Sequence, residues 1–296
     1  MKRSYAKYIA SLMLFGSNGI VAGYIALSSI EIVFFRTLIG ALFLSLIVAL
    51  MRSRAPKGAG VAIDKRHIAY ICISGFAMGA SWMFLYEAYA RIGVGISTLL
   101  YYCGPVIVMV ISPLLFRERI GKSKIIGFGA VLAGMVFLSG NTILGGVLPA
   151  GIVFGLMSAL MYAVMVCFNK AAKSVGGITN AVIQISASFV ATAAMLLPRQ
   201  GINFHIEMSS IAPILVLGVV NTGIGCYLYF SSIQKLRAQS VAILGYIEPI
   251  CALVLSVVVL AEKFNLAQLA GAVLIISGAM FGEFSGFGKN IAENDK

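Results

Sequence analysis

Apolar residues in this chain come in long blocks, and polar residues are confined to the short segments between them. A helix needs about 20 mostly apolar residues to cross a bilayer. Ten blocks come close to that length: 6–27, 31–51, 67–89, 95–116, 124–141, 149–169, 178–197, 210–231, 240–260 and 266–284. The connections carry turn or charge signals, as in Arg52–Arg66, Arg117–Lys124 and Pro198–Ser209. None of them is large enough to form a domain outside the membrane. The pattern predicts an all-α membrane protein with ten transmembrane helices. The first block follows a basic start (Lys2, Arg3, Lys7). Its apolar run of about 20 residues exceeds the roughly 7–15 of a signal peptide core, so it is expected to stay as the first helix.

Composition and charge sharpen this picture. The 296 residues are 60% hydrophobic and 11% charged, with a mean hydropathy of +0.99. Soluble domains average about 45–50% apolar and about 25% charged residues. Disordered, collagen-like, coiled-coil and disulfide-stapled secreted chains are excluded. A formal charge of +12 would by itself suit a nucleic-acid binder. The basic residues, however, sit between the apolar blocks. With the N-terminus inside, the inner segments hold 18 Lys and Arg, the outer ones hold three (Arg91, Arg199, Lys263), and Arg36 lies within a block. Lysine and arginine favour cytoplasmic loops. Both termini are therefore expected in the cytoplasm, in a cell (inner or plasma) membrane, with no nucleic-acid partner.

Five cysteines (Cys72, Cys103, Cys167, Cys226, Cys251) lie scattered in apolar runs and read as small buried hydrophobes. The only histidines, His67 and His205, sit at block edges. No metal site, His-based triad or cofactor is expected.

The two halves resemble each other. Shifted by 144 positions, residues 79–140 fall on 223–284 without a gap. Gly79, Leu100, Tyr102, Pro105, Val110, Ser112, Glu118, Gly127, Gly134 and Phe137 then meet identical residues. The repeats are read as 1–146 and 147–296, with five helices each. Five is odd, so the second repeat should be inverted. The basic segment RERIGKSK at 117–124 has the counterpart AEKFNLAQ at 261–268, as expected if the two face opposite sides. Inverted repeats place a substrate site near the bilayer midplane, between the repeats.

The fourth and fifth helices of the two halves read YYCGPVIVMVISPLLFRERIGKSKIIGFGAVLAGMVF and GYIEPICALVLSVVVLAEKFNLAQLAGAVLIISGAMF. Proline, about 13 residues, glutamate and then a glycine-rich helix form a pattern that resembles the drug/metabolite transporter superfamily. Within it the chain is similar to EamA-type transporters over nearly its whole length, and Arg36 looks like that family's usual second-helix arginine. The resemblance implies ten helices in two inverted five-helix repeats and export of amino acids or related metabolites.

Glu248 is the sharpest candidate residue. It lies about 8 residues, hence about 12 Å, into the ninth block, next to Pro249, and its counterpart in the first half is Gly104. Intramembrane acids are costly and face a cavity or a partner. Two roles stand open: a proton or substrate-amine site, or a carboxyl that braces a proline-broken helix. Arg36 lies about 7.5 Å into the second block. Glu31 is on another face of that helix, so a structural Arg36–Glu87 brace or snorkelling is expected. The third block carries Gly75, Met78, Gly79, Trp82, Tyr86 and Tyr89 at helical spacing. Trp82, the only tryptophan, is placed in a cavity wall, and Tyr86 and Tyr89 in an interfacial belt. Asn18, Tyr102, Tyr162, Gln184, Asn221 and Tyr246 complete the expected substrate or coupling set, with helix–helix glue as the plainer role for each polar member. Pro105, Pro249, Glu118 and Glu262 are structural, the two acids as caps on the helices that follow them. Gly19/Gly23, Gly75/Gly79, Gly151/Gly155 and Gly278/Gly282 are close-packing pairs.

These features predict a secondary transporter working by alternating access, with a small-molecule substrate and membrane lipid as partners, as a monomer or homodimer. Multidrug or organic-cation efflux is the alternative substrate class. A membrane-embedded enzyme would need a nucleophile, a metal set or an HExxH-like motif, and none is visible. A channel would explain a polar path but not the inverted repeat. No GxxxxGK[ST] loop is present for ATP hydrolysis.

Overall fold

A computed structural model describes residues 2–53, 64–116, 122–144, 150–200, 204–233, 236 and 244–294. Among the described residues there is no strand. The first block becomes α1 (Lys2–Gly16) and α2 (Asn18–Ala22), parted at Ser17. α3 (Ser29–Ser53) and α4 (Lys65–Ile92) follow. Asp64 starts α4 by accepting from the Arg66 amide at 2.9 Å, a normal N-cap. The fourth block divides into α5 (Val94–Tyr101) and α6 (Cys103–Phe116). Then come α7 (Lys122–Leu144), α8 (Ala150–Ala171) and α9 (Gly177–Gln200). The eighth block runs through α10 (Met208–Leu215), a π-helical segment Val216–Ile224 and α11 (Gly225–Ile233). α12 (Ile247–Val258) and α13 (Leu266–Asn294) end the chain.

Ser29–Met51, Lys65–Ile92, Ala150–Ala171, Gly177–Pro198 and Met208–Tyr229 are each long and apolar enough to cross a membrane. Val94–Val108, Ile125–Phe137, Ile247–Val258 and Leu266–Phe281 are shorter apolar helices. Large apolar side chains face outward, such as Leu42, Leu46, Val136 and Val273. An apolar exterior over helices that satisfy their own backbone is what lipid demands of a protein. The junction between residues 146 and 147 lies outside the described residues, as does Glu118.

The fourth and ninth blocks are not the uniform rods that hydropathy alone suggests. The helix breaks at Tyr102 (φ −72°, ψ 0°) and turns again at Tyr246, three residues before Pro105 and Pro249 respectively. Each proline lacks an N–H, so the carbonyls of Tyr101 and Gly245 lose their usual donor. The Tyr102 hydroxyl donates to the Gly245 carbonyl at 3.5 Å, from one half of the chain to the other.

α7 and α13 pack closely and antiparallel. A Cβ on Gly134 would come within 2.7 Å of the Gly271 carbonyl, and one on Gly278 within 2.9 Å of the Gly127 carbonyl. These contacts exchange under the 144-residue shift. In the centre, Gly75 rests on the α9 backbone at Gln184 and on Ala187, and the Ser188 hydroxyl donates to the Gly75 carbonyl.

Glu262 departs from its expected place. The helix that follows it is closed by Asn265 and Gln268, each side chain accepting from the other's amide at 2.8–2.9 Å. The Glu262 carboxylate instead accepts from the amides of Val94 and Gly95 at 2.6 and 3.0 Å, at the start of α5. Two local features aim it there. Ala261 adopts a φ of +54°, and the Glu262 amide donates to the Ser256 carbonyl at 3.1 Å, folding the segment back over α12. At the receiving end Gly93 (φ +81°) leaves room that a side chain would take from the carboxylate.

Candidate functional site

α1, α4, α8, α9, α11 and the two helix breaks enclose a cavity of about 560 Å³, within the usual range for a small-molecule site. Its mouth lies at the α8–α9 connection, where Lys170, Gly176 and Gly177 line it. The N-terminus of α4 is at the same end, because His67 Nδ1 lies 2.7 Å from the Ser174 hydroxyl. At the far end Phe15, Asn18, Trp82, Tyr101 and Glu248 separate the cavity from a second chamber of about 20 Å³. That volume accommodates about one water.

The mouth is polar. Asn169 donates to Asn180 Oδ1 and Gln184 Oε1 at 3.1 and 2.9 Å, and Gln184 passes the chain to the Ser74 hydroxyl at 2.9 Å. The middle is aromatic and soft: Tyr101 meets Tyr162 edge-on at 5.1 Å, with Met78, Met165 and Phe15 in the wall. Tyr162 and Met165 come from α8, so the wall joins both halves of the chain.

The charged groups gather at the inner end. Glu248, in the first turn of α12, borders both chambers and interacts with Tyr102. Arg36 is 2% exposed and borders the smaller chamber. Its Nε donates to the Thr222 hydroxyl at 3.1 Å, one Nη donates to the Tyr86 hydroxyl, and its guanidinium carbon lies 4.0 Å from the centre of the Trp82 ring. The π-helical segment places Thr222, whose hydroxyl in turn donates to the Leu217 carbonyl five residues back at 2.8 Å. The Arg36–Glu87 brace does not form. Glu87 pairs with Arg91 one turn along α4 at 2.9 Å, a local partner that needs no long reach. Arg36 points inward instead of snorkelling.

The structure brings Asn18, Trp82, Tyr102, Pro105, Tyr162, Gln184 and Glu248 to the cavity wall. Tyr246 lies elsewhere, packed with Leu99, Cys103 and Ala272 in an apolar cluster. Asn221 ties the π-helical segment to α1, donating to the Leu14 carbonyl and the Ser17 hydroxyl at 2.7 and 2.9 Å. Pro249 is buried behind Glu248. Tyr86 is buried and Tyr89 half-buried beside the smaller chamber, in place of the expected interfacial belt. Phe15, Met165 and Thr222 were not singled out in the sequence. The first two look like ordinary apolar-helix residues, and Thr222 owes its role to a π segment that no pattern marks.

The profile of the EamA-like transporter family matches this chain twice, over residues 4–140 and 149–282. The "Uncharacterized transporter YxxF" of Bacillus subtilis (strain 168) is 26% identical over 278 residues, covering 92% of this chain and 86% of the relative. An "Uncharacterized transporter" of Archaeoglobus fulgidus is 24% identical over 95% of this chain and 96% of its own. The "Uncharacterized inner membrane transporter YicL" of Salmonella typhimurium is 25% identical over 94% of each. One solved crystal structure superposes with a TM-score of 0.66 over 95% of this chain and 98% of its own; at 18% identity it shares the fold.

Proposed function

The chain belongs to the EamA-like transporter family, and on that premise we propose that it is a secondary transporter exporting amino acids or related small metabolites by alternating access. The observation that carries this reading is the cavity of about 560 Å³ whose wall draws on both halves and whose lining reaches the α8–α9 connection, with Glu248 at its inner end. A channel needs a path open at both ends at once. A transporter keeps one end shut at a time, and the inverted-repeat reading favours that cycle.

Ten transmembrane helices in two inverted repeats, 1–146 and 147–296, form the working architecture. The antiparallel α7–α13 contact supports it. Gly134 on Gly271 and Gly278 on Gly127 are related by exchange of the halves, as an axis lying in the membrane plane requires. Rocking one repeat against the other would close the α8–α9 mouth and open the far end around a fixed site. With both termini cytoplasmic, the mouth faces inward, ready to load substrate for export. Glu248 serves as the coupling or substrate-orienting acid. It borders both chambers beside a proline-broken helix, the setting in which transporters build their sites.

A second substrate class, organic cations, is favoured by the aromatic faces of Trp82, Tyr101 and Tyr162 near the Glu248 carboxylate. Purified protein in liposomes distinguishes the two. Loading with unlabelled amino acids should drive saturable counterflow of the labelled compound. Flux of quaternary ammonium compounds alone would favour the second class. No saturable flux of either kind would remove the transporter reading.

A further inference from the structure

We propose that Arg36 recognises a carboxylate on the transported molecule, one of whose oxygens enters the water-sized chamber. This rests on the transporter reading and adds to it a charge that the ligand must carry. The starting observation is a guanidinium only 2% exposed with no carboxylate within 4 Å among the described residues. Glu248 acts on this charge only from a distance, and a buried charge without a contacting counter-ion is expensive, an expense relieved when an opposite charge arrives beside it. Arginine has five N–H donors in a planar fork. The hydroxyls of Thr222 and Tyr86 take one each. The Trp82 ring lies 4.0 Å from the guanidinium carbon and fixes the plane of the group. The remaining donors are therefore held in one orientation, which suits a planar oxyanion.

The chamber beside Arg36 fits this partner. Its roughly 20 Å³ hold about one water, so a single carboxylate oxygen can take that place. Phe15, Asn18, Trp82, Tyr101 and Glu248 border both this chamber and the larger cavity, where the rest of the ligand would lie. Asn18 supplies a second, independent sign of an unfilled site. Its Oδ1 is buried with no hydrogen-bond partner, which buried polar atoms rarely tolerate. A ligand N–H, or a water held by Arg36, would satisfy it. Glu248 stands across the same chamber as the acceptor for a cationic group. Were Glu248 only the structural counter-ion of Arg36, the two would be expected in contact, not apart across a chamber that both line. An acid, an orphan acceptor and a cation with spare donors thus converge at one end of a soft apolar cavity.

Trp82 is the only tryptophan, so its fluorescence reports on the Arg36 stack alone. The purified full chain is titrated with the nineteen amino acids other than tryptophan, their C-terminal amides and the matching decarboxylated amines. At least one carboxylate should give a saturable change, with its amide tenfold or more weaker. In Arg36→Gln the carboxylate-to-amide ratio should fall towards one. Asn18→Asp, nearly isosteric, places a carboxylate beside Arg36 and should lower the same ratio tenfold; it keeps the test alive if Arg36→Gln does not fold. An unchanged ratio in the folded variants, equal binding of amide and acid, or no response to any carboxylate overturns the proposal. So does a saturable response to sodium chloride alone that carboxylates do not displace. Liposome flux separates the two levels. Transport of amides or amines at equal rates with and without Arg36 keeps the transporter reading and ends this one. Carboxylate binding without any flux does the reverse.

Discussion

Trp82 borders a chamber that two charges of opposite sign also line. Its ring covers Arg36 and borders both the larger cavity and the chamber behind it, with Glu248 in the same wall. Trp82→Ala would remove a cation–π contact worth about 0.5–2 kcal/mol and merge the two chambers. Transport per inserted molecule should fall at least tenfold while the protein still folds and inserts; unchanged kinetics would take Trp82 out of the path. Glu248→Gln keeps the shape and hydrogen-bonding capacity but removes the titratable carboxyl. Gradient-driven, pH-dependent transport should be lost and counterflow retained. A wild-type rate and pH profile in that variant would make the carboxyl a structural brace. Glu248 was legible in the sequence because an acid deep in an apolar block has few explanations. The partners of Arg36 were not. Depth pointed to Glu87 and put Tyr86 in an interfacial belt, and only the direction of each side chain decides: Glu87 turns along α4 to Arg91, Tyr86 turns inward.

At the scale of elements, the Glu262 carboxylate joins the α12–α13 connection of the second half to the α5 start of the first. Hydrogen bonds to a charged group contribute about 1.5–3 kcal/mol each when buried, and less here because Glu262 is partly exposed. Glu262→Ala should lower the melting temperature of the detergent-solubilised protein by several degrees. Glu262→Gln, which keeps one acceptor oxygen, should fall between it and wild type. Equal melting temperatures for all three would show that the cap carries no stability. The existence of these helices was legible because apolar length is a strong signal. Their breaks were half legible: Pro105 and Pro249 mark where a backbone bond is lost, but not that Tyr102 would reach across to a freed carbonyl. The cap was misplaced for a similar reason. Sequence order puts Glu262 near the helix that follows, and the positive φ at Ala261 turns it towards α5. The π-helical segment at Val216–Ile224 left no trace in the pattern.

The whole molecule turns on which way the mouth faces. His67 and the α8–α9 connection share one end of the bundle, and the cavity opens there. The same end carries Lys65, Arg66, Lys170 and Lys173, which the charge pattern puts inside. Three outer Lys and Arg against 18 inner ones is a large bias for loops this short. An inverted second repeat, as proposed, would account for this bias. The segment at 117–124 carries four Lys and Arg, whereas its counterpart at 261–268 keeps only Lys263, the difference expected if the two face opposite sides of the membrane. Both termini are therefore predicted in the cytoplasm. A reporter active only in the cytoplasm, fused after Lys296, should be active, and one active only outside should be silent. A fusion within the Pro198–Ser209 connection should give the opposite pair. If the C-terminal fusion is active only outside while the connection fusion is active only inside, the molecule is inserted the other way up. The mouth then faces outward, and the resting state loads substrate for uptake, not export. If both fusions report the same side, the number of crossings between them is even and the inverted arrangement fails, whichever way the mouth faces.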